Sequence, residues 1–269
     1  MYFSRLLKKT KKLFAVSRLR YQKITAKIHP APIFILGYPK SGTTVISSLL
    51  SEASGQPLTT DLFYRLDPKR EQKLPEKLFC EKEKMMDFVH QYKFFFSTPL
   101  NKSPLFTFLY AELKHCFPQA KFIFIARHPA DTLRSYLNRR GIPGHLDQLP
   151  EDKQRHLNRF ASIPPSVGSH YIEKMANRWH TASETYFSHA DDMLLIRYED
   201  FMLDKVGSIH QLCEQAGLTV RHDISPFLER QYQPRGNRDV SWHEFFGANN
   251  LATIERICAK PMARFGYLP

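Results

Sequence analysis

The sequence predicts an α/β fold, a single domain with a central parallel sheet flanked by helices. Short apolar runs at 33–36, 122–125 and 193–196 have the length of strands, and the first two lead through a turn into a helical pattern. No apolar run approaches the 18 or so residues of a membrane span. With 42% hydrophobic and 24% charged residues in 269 positions, the chain has the composition and length to bury a sizeable core.

The elements follow in order. Pro30-Ala31-Pro32 is a joint between an N-terminal arm, residues 1–28, and the body, residues 29–269. Ile33-Phe34-Ile35-Leu36, bounded by Pro and Gly, is a buried strand. A Gly-containing turn leads into a helix over 43–54, with Val45, Ile46, Leu49 and Leu50 on one face. Residues 55–92 are polar, proline-punctuated and partly helical. Phe94-Phe95-Phe96 is the second strand candidate. Pro104 opens a helix through Leu105, Phe108, Leu109 and Leu113, at a position where Pro is tolerated. Residues 122–125 form the third strand, and Pro129 opens the next helix, to about Arg140. Residues 141–166 read as loop, 168–189 as a long helix and 193–196 as the fourth strand. Helices near 205–216 and 249–264 complete the chain. Strands alternating with helices imply parallel pairing through right-handed crossovers.

The net charge of +13 is unevenly spread. Nine Lys and Arg residues and no acid fall in residues 1–28, which leaves +4 for the body. Leu7, Phe14, Tyr21 and Ile28 recur at seven-residue intervals, so a helical arm has one apolar and one basic face. That pattern suits contact with an anionic membrane surface. It equally suits a helix packed on the body, and a cleaved organellar presequence is a third reading. The four cysteines, Cys80, Cys116, Cys213 and Cys258, are far apart and form no CxxC pair. Neither a disulfide framework nor a zinc site is expected, and a reducing, cytoplasmic setting is the expectation.

Gly37-Tyr38-Pro39-Lys40-Ser41-Gly42-Thr43-Thr44 lies between the first strand and its helix. Backbone N–H groups at such a turn, with the helix N-terminus, cradle a phosphate. The Gly37-x4-Gly42 spacing equals that of a Walker A loop, but Thr43 stands where the loop's Lys belongs. The cation sits at Lys40 instead. The string Tyr-Pro-Lys-Ser-Gly-Thr-Thr resembles the 5′-phosphosulfate-binding loop of sulfotransferases, which use 3′-phosphoadenosine 5′-phosphosulfate.

That resemblance implies an Arg at the end of a later strand and a Ser eight residues on, both holding the 3′-phosphate. Arg127 and Ser135 stand in those places. Pro39, Lys40, Ser41, Gly42, Thr43 and Thr44 take the place of the 5′ loop. The segment Asn101-Lys102-Ser103-Pro104 resembles the Lys-containing segment of Golgi-type and tyrosylprotein members, which assigns Lys102 to the donor. Residues 195–201, Leu-Ile-Arg-Tyr-Glu-Asp-Phe, resemble a strand end read as structural. Arg235 and Gly236, with Trp242, resemble the late segment over the 3′-phosphate, although its Lys is missing. The ending at 262–267 resembles bacterial members. The likeness covers residues 31–267 and implies the P-loop-like sulfotransferase fold.

Sulfuryl transfer needs a cation on the bridging and leaving oxygens, and Lys40 takes that role by resemblance. No metal is implied, and the histidines show no HExxH spacing. A base must take the acceptor's proton. Where cytosolic phenol and steroid sulfotransferases have a His, this chain has Pro104. Asp61 is the candidate base, with Glu52, Glu112 and His145 as lesser options. The acceptor is expected to be a hydroxyl on a glycan, a lipid-linked sugar or another natural product. The basic residues between 139 and 159 suit an anionic one and equally suit a solvated basic face. The competing readings are a P-loop nucleotide kinase or NTPase and a basic nucleic-acid-binding module. The first lacks the Gly-Lys-Thr string, and the second leaves both phosphate motifs unexplained, so no nucleic-acid partner is expected.

Overall fold

The computed structural model describes residues 25–66, 73–80, 82–151, 153, 154, 157, 167–232 and 240–267. Five parallel strands form the sheet in the order β2-β3-β1-β4-β5. They are β1 Ile33–Gly37, β2 Leu58–Thr60, β3 Leu100–Lys102, β4 Lys121–Ala126 and β5 Met193–Arg197. The helices are α1 Thr43–Ser54, α2 Leu62–Leu66, α3 Lys73–Phe79, α4 Met85–Gln91, α5 Tyr110–Cys116, α6 Pro129–Arg140, α7 Tyr171–Ser188, α8 Tyr198–Leu203, α9 Lys205–Ala216 and α10 Trp242–Arg264.

β1 is buried along its whole length because both faces of the sheet are covered. Strand alternation separates its side chains into two chemistries. Phe34 pairs in register with Phe122 and Leu36 with Phe124, and these four join an aromatic core with Phe96, Phe106 and Phe117. The Phe34 and Phe122 rings stack at 5.5 Å. On the other face Ile33, Ile35, Ile123 and Ile125 meet Ile46, Leu49 and Leu50 of α1 and Ile209, Leu212 and Cys213 of α9. Truncating a buried Phe of this kind costs about 3–5 kcal/mol, so the core holds the strand ends firmly. Every strand's carboxyl end lies on the same edge, where open α/β sheets place their ligands.

The second-strand expectation at 94–96 is wrong. Phe95–Ser97 is a 3-10 turn that drives Phe96 into the core against Phe88, Phe106 and Phe117. The strand is Leu100–Lys102, two-thirds polar but fully buried. Its polar groups are satisfied, with Asn101 Nδ2 donating to the Thr98 carbonyl at 2.8 Å and Lys102 pairing with Asp61 at 2.8 Å. The three-residue β2 went unrecognised for the same reason, since Leu58-Thr59-Thr60 carries no apolar run. Pro104 opens a 3-10 helix to Leu109 before the α-helix begins at Tyr110. The last element begins at Trp242, ahead of the helix expected near 249–264, which is its longer part. Gly247 breaks its geometry with φ 71° and ψ 166°, which hid the first turn from a periodicity reading.

Candidate active site

The turn after β1 is fixed from below. Thr107 Oγ1 accepts from the Gly37 N–H at 2.9 Å and donates to the Gly37 carbonyl at 3.1 Å. The loop then turns into α1 through Gly42, at φ 100° with no side-chain cap. A Cβ at Gly42 would run into the Tyr198 ring, so the loop admits only glycine there. The first turn of α1 holds no acid, Gly42 to Val45 line the cavity, and a helix N-terminus so placed favours an anion.

Lys40 (φ 76°) and Asp61 (φ 48°) are the two non-glycine residues with positive φ among those described. They are also the two residues expected to do the chemistry. Such conformations persist where surrounding bonds over-determine them. The Asp61 N–H donates to the Lys102 carbonyl at 2.8 Å, and its own carbonyl accepts from Tyr64 and Arg65 at 2.9 and 3.1 Å. The Lys40 carbonyl accepts from Arg127 Nη1 at 3.0 Å.

One cavity of about 570 Å³ gathers Pro39, Lys40, Gly42, Thr43, Thr44, Asp61, Lys102, Arg127 and Ser135. Lys102 Nζ, almost wholly buried, donates to Asp61 Oδ2 at 2.8 Å and to Thr44 Oγ1 at 3.1 Å. Arg127 lies over the Tyr198 ring at 4.5 Å, and its carbonyl accepts from Trp179 Nε1 at 3.1 Å. Ser41, also expected at the donor, does not line the cavity, and its Oγ is buried without a hydrogen-bond partner among the described residues. Arg235 and Gly236 lie outside the described residues, as does the arm through residue 24. Glu52, Glu112 and His145 do not line the cavity.

Burial, with Arg139, Arg127 and Lys102 nearby, pushes Lys40 down to about 8. Its ammonium is therefore complete below that pH and is lost as pH rises through it. Affinity for an anionic nucleotide is expected to fall across pH 8 in titrations. In Lys40→Arg, where the side chain stays charged, that fall should disappear; its persistence would place the titrating group elsewhere.

Tyr198 is a site residue that the sequence reading assigned to structure. It was findable, because it follows β5 at the sheet's carboxyl edge. Asp131 and Arg134 also line the cavity, and sequence reading passed over both. They lie four and one residues before Ser135 on α6. The cradle closed to a Cβ, the orphaned Ser41 hydroxyl and the cations of Lys40, Lys102 and Arg127 fit a ligand with phosphate or sulfate groups at both ends.

A phosphate cradle without the Walker lysine thus lies beside a strand-end Arg that bonds it from the neighbouring parallel strand. The chain belongs to the sulfotransferase family, whose profile matches residues 32–223, well over half of the sequence. It is similar to flavonol 3-sulfotransferase of Flaveria bidentis, 24% identical over 212 residues, which is 75% of this chain and 60% of that protein. The chain thus spans about 60% of the length of that curated relative. Among solved structures it is similar in fold to sulfotransferase STF9 of Mycobacterium avium. The TM-score is 0.58 at 14% identity, covering 94% of this chain and 81% of that one. Sulfotransferase STF1 of Mycobacterium tuberculosis gives a TM-score of 0.52 at 13% identity, covering 90% and 80%.

Proposed function

We propose that the protein transfers a sulfuryl group from 3′-phosphoadenosine 5′-phosphosulfate to an acceptor hydroxyl, in line and without a metal. The convergence of the loop residues, Lys102, Arg127 and Ser135 on one cavity carries this reading. The cradle and Lys40 hold the 5′-phosphosulfate, and Arg127 and Ser135 hold the 3′-phosphate. Phe201, Met202 and Leu228 give the same cavity apolar surface suited to a base.

The acceptor oxygen attacks sulfur as its proton passes to the Asp61 carboxylate. The bond from sulfur to the bridging oxygen breaks, and adenosine 3′,5′-bisphosphate leaves. Lys40 neutralises the charge that grows on the leaving oxygens, which makes positioning and electrostatics the main contributions. Lys102 keeps Asp61 turned toward the cavity. A kinase reading is not favoured, because the cation sits within the loop and not after Gly42. Labelled donor incubated with hydroxyl-bearing glycans and natural products tests the reaction: label should appear in a sulfate ester with matching bisphosphate release. Label that appears only as inorganic sulfate across the acceptor panel would count against transfer.

Arg139, close enough to Lys40 to depress it, and its neighbour Arg140 support an anionic acceptor. The basic arm supports contact with an anionic membrane, each Lys or Arg near such a surface contributing about 1 kcal/mol. The described chain enters the sheet at the N-terminal end of β1, on the edge away from the cavity. Removing residues 1–28 should therefore abolish co-sedimentation with phosphatidylserine vesicles and leave transfer to a small acceptor intact. Unchanged co-sedimentation would remove the arm from membrane binding. The dispersed free cysteines support a cytoplasmic setting, which fractionation of cells expressing the tagged chain would test.

A further inference from the structure

Resting on that donor reading, we propose that Arg134 is a further ligand of the donor's 3′-phosphate and that Asp131 is its positioning residue. Asp131, Arg134, Ser135 and Asn138 recur along α6 at the spacing of one helical face, and all four line the cavity. Arg134 is therefore the immediate neighbour of the serine assigned to the 3′-phosphate.

Its guanidinium is held at both ends. Nη2 donates to Asp131 Oδ1 at 2.6 Å, and Nη1 donates to the Val240 carbonyl. The Arg134 side chain is only 12% exposed. A guanidinium carries five N–H donors, so two such bonds fix its plane and still leave donors for an oxyanion. A fork oriented in advance loses less freedom when phosphate binds.

Asp131 is itself pinned. The same Oδ1 accepts from Trp242 Nε1 at 2.9 Å, and the Trp242 ring stacks on His128 at 4.3 Å with 5° between planes. His128 directly follows Arg127. One carboxylate thus ties the start of α6, the start of α10 and the strand-end arginine into a single wall. Arg127 and Arg134 are the cations of this wall, and its carboxylates, Asp131 and Glu199, are occupied by the Trp242 indole and by the His128 amide and Tyr267 hydroxyl.

A purely structural ion pair within α6 would give the same contacts but a different binding signature. Calorimetric titration with adenosine 3′,5′-bisphosphate and with adenosine 5′-monophosphate separates them. Arg134→Gln is expected to weaken the bisphosphate about tenfold or more, the loss typical of one charge-assisted hydrogen bond, and to leave the monophosphate within about twofold. Asp131→Asn should show the same selective loss, but smaller. Should Arg134→Gln not fold, Arg134→Lys keeps the charge without the fork and should still lose several-fold on the bisphosphate alone. Equal losses on both nucleotides, or an unchanged bisphosphate affinity, would overturn the assignment. A wild-type protein that binds the two nucleotides equally would overturn the donor reading itself, and this inference with it.

Discussion

Lys40→Ala should lower the rate of sulfuryl transfer by about 10²–10³-fold, the range seen when one preorganised donor to developing charge is removed. Affinity for adenosine 3′,5′-bisphosphate should fall much less. The difference follows from where the charge appears. The bridging oxygen gains charge only as the bond to sulfur breaks, so a cation beside it stabilises the transition state more than the ground state. The positive φ of 76° and the Arg127 bond to its carbonyl fix the Lys40 backbone, and the residue lines the cavity beside Gly42 and Thr43. Single-turnover rates with saturating donor give the first quantity and calorimetry the second. A variant with near wild-type turnover would remove Lys40 from the mechanism.

Asp61→Asn should lower transfer by about 10²–10⁴-fold, the usual contribution of a general base, with bisphosphate binding retained. Asn keeps an oxygen for Lys102 but accepts no proton. The ion pair decides how the result is read. Lys102 Nζ is buried while its partner is 42% exposed, so Asp61→Asn leaves a buried ammonium without its counter-charge, and a melting curve showing the variant folded must accompany the rate. Oδ2 is engaged by Lys102, and the carboxylate's other oxygen remains to meet the acceptor. If Asp61→Asn keeps more than a tenth of the wild-type rate, less than about 1.4 kcal/mol is lost, and the proton goes elsewhere.

How much of this was legible in the sequence depended on the kind of signal. β1 and β4 declared themselves because a strand buried on both faces is continuously apolar, as 33–36 and 122–125 are. β3 did not, because its burial is sustained by a polar network. Asn101 finds its partner locally at Thr98, but Lys102 is satisfied by Thr44 and Asp61, 58 and 41 residues earlier in the chain. Phe94-Phe95-Phe96 misled for the complementary reason: three aromatic residues can pack from a 3-10 turn as well as from a strand. At the site, the loop after β1 and the Arg127–Ser135 pair were readable because their spacing is local. Tyr198 could be placed at the sheet's carboxyl edge, but its contact could not be read, since that depends on how closely β5's end approaches Gly42, 156 residues earlier. The Asp61–Lys102 pairing required the β2–β3 register, which brings Thr60 beside Lys102 and so Asp61 within reach of it.

The most direct test of the donor site is competitive thermal denaturation with adenosine 3′,5′-bisphosphate and with ATP plus Mg²⁺. A ligand at 100 times its dissociation constant stabilises the folded state by about 2.7 kcal/mol, enough to separate the two nucleotides clearly. The bisphosphate should raise the melting temperature by several degrees, and this shift should shrink in Arg127→Ala, whereas ATP with Mg²⁺ should leave the protein nearly unmoved. A larger shift with ATP and Mg²⁺ than with the bisphosphate would contradict the assignment of this cavity to a 3′-phosphorylated sulfuryl donor.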